Sequence, residues 1–181
     1  MHASICDQLL DLVQNAIEAG ATEITVKWRE AASWQELSVS DNGCGMSVET
    51  QSKALDPFYT DGRKHKHRRV GLGLAFLRQM VEDTGGRWEL VSEVGRGTEV
   101  RFRLERAHPD VPPPGDLAGA VGALMMFPGD YELRFIRETE AGEYRLTRSS
   151  LREALGDLET SASLVLMQEY IASQEEALQK G

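Results

Sequence analysis

Leu9 to Gly20 reads LLDLVQNAIEAG, and the reading of this stretch decides the fold. Ile5, Leu9, Leu12 or Val13, and Ala16 recur at helical spacing, Ser4 is placed to cap the start and Gly20 to close the end, so a helix is predicted over Ser4 to Ala19. The opposite register carries Asp7, Asp11, Asn15 and Glu18, because side chains four apart stack on successive turns. Asp11 and Asn15 therefore project toward one point. A carboxylate there can orient or deprotonate a water. A neutral amide oxygen suits a magnesium ion that keeps waters and phosphate oxygens as its other ligands. Taken alone, such a face is simply a solvated one.

Working outward, Glu23 to Arg29 (EITVKWR) and Glu36 to Asp41 (ELSVSD) alternate apolar and polar residues, which predicts a strand hairpin. Asp41-Asn42-Gly43-Cys44-Gly45-Met46 follows as loop chemistry. A carboxylate there can accept a hydrogen bond from an exocyclic amine, and the glycines let backbone approach a flat ring, although Asp-Asn-Gly is also a common turn. Ser47 opens a short helix to about Leu55, and Pro57 breaks it. Asp61 to Arg69 (DGRKHKHRR) then concentrates five Lys and Arg residues against one Asp. In Val70-Gly71-Leu72-Gly73-Leu74-Ala75 a glycine pair runs straight into a helix predicted to Thr84, whose free N–H groups suit phosphate. The stretch lacks the third glycine of a dinucleotide fingerprint and the Gly-Lys-Ser/Thr of a P-loop. Arg87 to Glu93 and Thr98 to Glu105 read as two strands around Gly95-Arg96-Gly97.

The 181 residues are enough for a core without staples, and two cysteines make no disulfide framework. No apolar run is long enough to cross a membrane, no signal peptide is legible, and the chain reads as cytoplasmic. A net charge of −9 disfavours a general nucleic-acid binder, while one basic loop in an acidic chain suits a small anion. Proline-rich residues 107–115 read as a linker between residues 1–106 and a small acidic α/β region, 116–181. That region is predicted as a helix from about Asp116 to Phe127, strands at Tyr131 to Arg137 and Glu143 to Thr147, and a helical end from about Ser149. The order of elements gives an α+β fold.

Taken together, these motifs resemble the ATP-binding domain of the GHKL superfamily, shared by DNA gyrase, heat-shock chaperones, histidine kinases and MutL. Leu10 to Thr22 is similar to its N box, Asp41 to Met46 to the G1 box, and Asp56-Pro57-Phe58-Tyr59-Thr60 to the F box of histidine kinases. Gly71 to Ala75 resembles the G2 box and Gly95 to Thr98 the last glycine motif. The resemblance implies a two-layer α/β sandwich of the Bergerat type with a small C-terminal α/β appendage, binding ATP or ADP with magnesium. It implies that Asn15 holds the metal, that Asp41 meets the adenine amine with Gly43, Gly45 and Thr98 near it, and that Met46 lines the ring pocket. Gly71, Leu72, Gly73, Leu74 and Ala75 would hold phosphates, and Phe58, Tyr59, Thr60, Arg63 and Lys64 would belong to a lid.

Asp11 stands where hydrolysing members carry Glu and histidine kinases commonly carry Asn. One methylene shorter than Glu, it is expected either to act as the catalytic base through a shifted water or only to position magnesium. Only ten residues precede it, too few for a histidine kinase's phosphoacceptor hairpin, so a phosphorylated substrate would come from another protein. Residues 107–181 resemble no part of gyrase or MutL. The expectations are a slow ATPase or a nucleotide-dependent regulator of a partner protein, a trans-acting protein kinase of the anti-sigma type, or a nucleotide sensor without turnover. The partner would dock through the lid or the C-terminal region, where Leu164, Leu166, Met167, Tyr170 and Ile171 crowd the last helix as either core or docking surface.

Overall fold

The computed structural model describes residues 4–56 and 72–180. Helix α1 (Ile5–Glu18) begins at Ser4, whose hydroxyl accepts the Asp7 N–H at 3.2 Å while the Asp7 carboxylate accepts the Ser4 N–H at 2.9 Å. This reciprocal cap satisfies donors that a helix start leaves open. Strands β1 (Glu23–Glu30) and β2 (Trp34–Asp41) form the antiparallel hairpin that their alternation predicts. Then come α2 (Val48–Ala54), capped by Ser47, α3 (Leu72–Asp83), β3 (Arg87–Glu93) and β4 (Gly97–Glu105). Asp116 caps α4 (Leu117–Met126), which leads into β5 (Glu132–Thr139) and β6 (Gly142–Thr147). The predicted single helical end is two helices, α5 (Arg148–Leu155) and α6 (Ser161–Lys180), divided where Gly156 takes a φ of 78°.

Among the described residues the strands form one six-stranded sheet in the order β3-β4-β2-β1-β5-β6. Only the β1–β5 pairing is parallel. Register aligns Leu90, Val100, Val39, Val26, Phe135 and Leu146 in one row across all six strands. That row faces the helices, while Lys27, Arg101 and Arg134 on the alternate face are exposed. One face packs on helices and the other meets water, which is a two-layer sandwich.

The C-terminal α/β region is built onto the N-terminal strands. Leu133 and Phe135 of β5 pair with Ile24 and Val26 of β1, and Val121, Met167 and Ile171 join Leu9 and Val13 in one continuous core. Of the apolar residues on α6, Met167 and Ile171 are buried, whereas Leu166 and Tyr170 are 52% and 48% exposed, so the stripe divides between core and surface. The proline-rich stretch is seated as well. Ile5 N–H donates to the Pro113 carbonyl and Cys6 N–H to the Pro114 carbonyl, both at 3.0 Å. Proline lacks a donor but keeps its acceptor, and the first turn of a helix offers donors that need one. Arg148 is buried and spreads its guanidinium over the carbonyls of Met125, Phe127, Gly129 and Tyr131 at 2.8–3.0 Å, 4.1 Å from the Tyr131 ring centre.

Candidate functional site

The alternation that turns Leu37 and Val39 toward the helices carries Asp41, at the end of β2, to the same face. Register pairs Asp41 with Thr98 on β4, and Thr98 with Ser92 on β3. Three polar side chains thus stand side by side on adjacent strands where their neighbours in the row, Ile24 and Leu133, are core. The Asp41 carboxylate accepts the Gly43 N–H at 2.7 Å. Partial burial pushes its pKa above the ordinary carboxylate value, and backbone hydrogen bonds from Gly43 and Thr98 oppose that shift without cancelling it.

The loop after β2 is held from several sides. Asn42 Oδ1 accepts the N–H groups of Thr22 and Glu23 at 2.9 and 3.0 Å, and Nδ2 donates to Thr22 Oγ1 at 3.0 Å. Gly43 packs against Ala19, and Cys44 N–H donates to the Ala19 carbonyl at 2.9 Å. Gly45 lies against the Glu93 carbonyl, and Gly97, with φ at 102°, lies so close to the Asp41 carbonyl that a Cβ would strike it. Met46 N–H donates to Ser92 Oγ at 2.8 Å, and Gln51 Nε2 donates to the carbonyls of Met46 and Ser92 at 3.1 and 2.9 Å. Ser92 Oγ also lies 2.8 Å from Thr98 Oγ1 and 3.1 Å from the Gly97 carbonyl.

The other half of the site is where α1 meets α3. A Cβ on Gly73 would run into Asp11 Oδ2 and lie 3.1 Å from Asp11 Cγ. The carboxylate therefore rests on the first turn of α3, Leu72 to Ala75, whose N–H groups have no intrahelical partner and whose dipole end favours negative charge. In that turn Gly73 and Leu74 are half-buried and Ala75 is buried. Asn15 is half-buried one turn beyond Asp11, and its side-chain amide bonds no described residue. One further turn reaches Ala19, which touches Gly43, so α1 links the two halves.

The structure thus brings Asp41, Gly43, Gly45, Met46 and Thr98 together at one end of the sheet, and Asp11, Asn15 and Leu72 to Ala75 together on two helices. Phe58, Tyr59, Thr60, Arg63, Lys64 and Gly71 lie outside the described residues. Sequence reasoning missed Ser92, Gln51 and Asn42. Ser92 had a signal, since closing Arg87–Glu93 on Thr98–Glu105 about the Gly95–Gly97 turn sets it opposite Thr98. Gln51 had none.

A cleft of about 830 Å³ lies at the other end of the sheet, among Trp28, Glu30, Arg106, Arg137 and Glu175. Its buried Arg137 bridges Glu30 and Glu175, Arg106 pairs with Glu30, and the Tyr144 hydroxyl donates to Glu175 at 2.8 Å. These groups satisfy one another and stand apart from Asp11 and Asp41.

Residues 4–108 match the family model described as histidine kinase-, DNA gyrase B-, and HSP90-like ATPase. The C4-dicarboxylate transport sensor protein DctB of Rhizobium meliloti is 38% identical over 103 residues, 55% of this chain and 16% of that protein. The signal transduction histidine-protein kinase AtoS of Escherichia coli is 33% identical over 92 residues, 49% of this chain and 14% of that protein. The chain thus spans a small part of the length of these relatives. A crystal structure of the N-terminal domain of a DNA repair protein superposes with a TM-score of 0.57 over 90% of this chain and 59% of that one, at 14% identity. This likeness is of fold alone, and at that coverage it runs past residue 108.

Proposed function

The chain belongs to the histidine kinase-, DNA gyrase B- and HSP90-like ATPase family, and from that premise we propose that it binds ATP with magnesium and either hydrolyses it slowly or uses it to regulate a partner protein. The observation that carries this reading is the placement of the Asp11 carboxylate on the first turn of α3. It sets a general base beside a phosphate-binding helix end, on the helix that also reaches the Asp41 loop.

In this reading Asp41 accepts a hydrogen bond from the adenine amine, with Thr98 beside it and Met46 along the ring. The N–H groups of Leu72 to Ala75 hold phosphate oxygens. The Asn15 oxygen is a hard donor left unengaged by described residues, and no three His, Cys, Asp or Glu side chains among them form a cage, which fits an ion shared with phosphate oxygens. Magnesium bound there would offset phosphate charge. Asp11 orients a water and takes its proton as the water oxygen bonds to the γ-phosphorus, while the bond to the β,γ-bridging oxygen breaks and ADP leaves with that electron pair. No helix among the described residues is long and apolar enough to cross a membrane, and we place the protein in the cytoplasm.

A second reading, phosphoryl transfer to a protein acceptor, is favoured by the sensor-kinase relatives. Calorimetry of Mg·ATP on wild type, Asp41→Asn and Asp11→Ala, with phosphate release followed in the same samples, tests both. Binding lost in Asp41→Asn, with turnover lost in Asp11→Ala, supports the ATPase. Binding without phosphate release supports the regulator or transfer readings, and no binding by wild type overturns all of them.

A further inference from the structure

We infer that Gln8 is a positioning residue for the Asp11 carboxylate: the two share one bound water, which helps to set the direction of the base. The inference rests on the nucleotide reading above and deepens it.

Gln8 is a polar residue on an apolar face. It lies on α1 among Ile5, Leu9 and Leu12, all buried, and is itself 4% exposed. Its side-chain oxygen Oε1 is enclosed and meets no hydrogen-bond donor among the described residues. Buried polar atoms are nearly always paired, because an enclosed acceptor has given up water and must be repaid by another donor. Leucine or methionine would fill a similar volume on this face without that cost. The orphan acceptor therefore points to a donor that is not part of the protein chain.

Helix spacing says where that donor sits. Gln8 precedes Asp11 by three residues, so the two are neighbours on the helix surface, with Cβ atoms about 5–6 Å apart. The same stripe runs on through Asn15 to Ala19, and it carries Asp11 against Gly73 and Ala19 against Gly43. Asp11 and Asn15 are half-buried, and Gln8 is the buried inner member of the stripe. An ionised carboxylate and a carboxamide oxygen both accept and neither donates, so they cannot bond each other. A water brings two hydrogens and fits between two acceptors at this separation.

One hydrogen of that water goes to Gln8 Oε1 and the other to the Asp11 carboxylate. The carboxylate is then held from two directions, by the backbone at Gly73 and by the water. A general base works when its oxygen is aimed at the proton it removes, and a misplacement of about 1 Å can cost a hundredfold in rate. Gln8 touches no nucleotide in this arrangement and acts through Asp11.

The test compares wild type, Gln8→Met and Gln8→Leu by steady-state phosphate release from Mg·ATP, melting temperature and crystal structure. Both substitutions roughly keep the volume and remove the acceptor. In both, kcat should fall about tenfold, on the scale of one hydrogen bond, while KM for Mg·ATP and the melting temperature hold. Wild-type crystals should show a water within hydrogen-bond distance of Gln8 Oε1 and the Asp11 carboxylate, and both variants should lack it. In the Asp11→Ala background, Gln8→Met should lower residual phosphate release no further. A wild-type crystal structure without that water overturns the inference, as does an unchanged kcat in both variants. A kcat that falls only in proportion to lost folded protein makes Gln8 merely structural and overturns it too. Absence of phosphate release by wild type would instead remove the ATPase reading, and the water would then decide the contact with Asp11 by itself.

Discussion

The Asp11 carboxylate rests directly on Gly73, in space that any side chain at position 73 would occupy. A helix start and a carboxylate from a different helix meet with no atom between them. The arrangement makes the choice of glycine testable against ordinary helix preference.

Alanine is favoured over glycine inside a helix by about 1 kcal/mol. Gly73→Ala should nonetheless lower stability, because its methyl displaces Asp11, and phosphate release should fall about a hundredfold, as for a displaced catalytic group. In the Asp11→Ala background the sign should invert, with Gly73→Ala raising stability toward the helix-propensity value. A thermal double-mutant cycle with phosphate-release assays checks both, and additivity of the two changes would sink the contact.

Asp41 carries a stability penalty that depends on pH. Its folded pKa lies above the ordinary carboxylate value because of burial, so the folded state holds the proton more tightly than the unfolded chain does. The ionised form is therefore disfavoured in the fold, and stability is lost as pH rises through the unfolded and then the folded value. Asp41→Asn should melt higher than wild type near neutral pH, by a margin that shrinks as pH falls into the carboxylate range, while losing Mg·ATP binding. Melting curves across pH, read beside calorimetry, provide the comparison.

Arg148 is a buried cation whose hydrogen-bond partners among the described residues are all carbonyls, two of them, from Met125 and Phe127, at the negative end of α4. Arg148→Ala should cost about 3–5 kcal/mol, the scale for breaking a buried charged network. That corresponds to a drop of roughly 10 °C in melting temperature for a chain of this size. Arg148→Lys should recover only part of the loss, since one ammonium cannot reach four carbonyls. A melting temperature unchanged in Arg148→Ala would refute this role.

The two thiols should differ sharply. Cys44 is exposed in the loop between Asp41 and Met46. Cys6 is buried, and burial with nearby Asp116 and Asp7 pushes its pKa up to about 12. Intact-mass analysis with a thiol-alkylating reagent at pH 8 should show one adduct on the folded protein, at Cys44, and a second only in denaturant. Saturating Mg·ATP should slow the first modification if the loop lies against the base.

Much of the site was legible because its signals are local. Ser4, Ser47 and Asp116 announce helix starts through their own hydroxyl or carboxylate, and Asp11 and Asn15 share a face because four residues make about one turn. The pairing of β1 with β5 was not legible, since a parallel neighbour more than a hundred residues away leaves no mark in either strand. Residues 107–115 read as a linker by composition, yet the carbonyls of Pro113 and Pro114 cap α1. Gln51 looked like any polar helix residue, and only its two carbonyl partners reveal its place.

The parallel pairing of β5 on β1 also means that the family-matching segment and the unit that folds are different lengths of chain. A fragment ending near residue 108 would keep every matched motif but leave β1 with its eight-residue hydrogen-bonding border open, the carbonyls that close α1 removed, and Ile24, Val26 and Trp28 without their outer cover. Such a raw border is a template for other chains to pair with. In this protein the acidic C-terminal region supplies the strand that covers the open side of β1, so the sheet of the family-matching segment is completed only by residues beyond it.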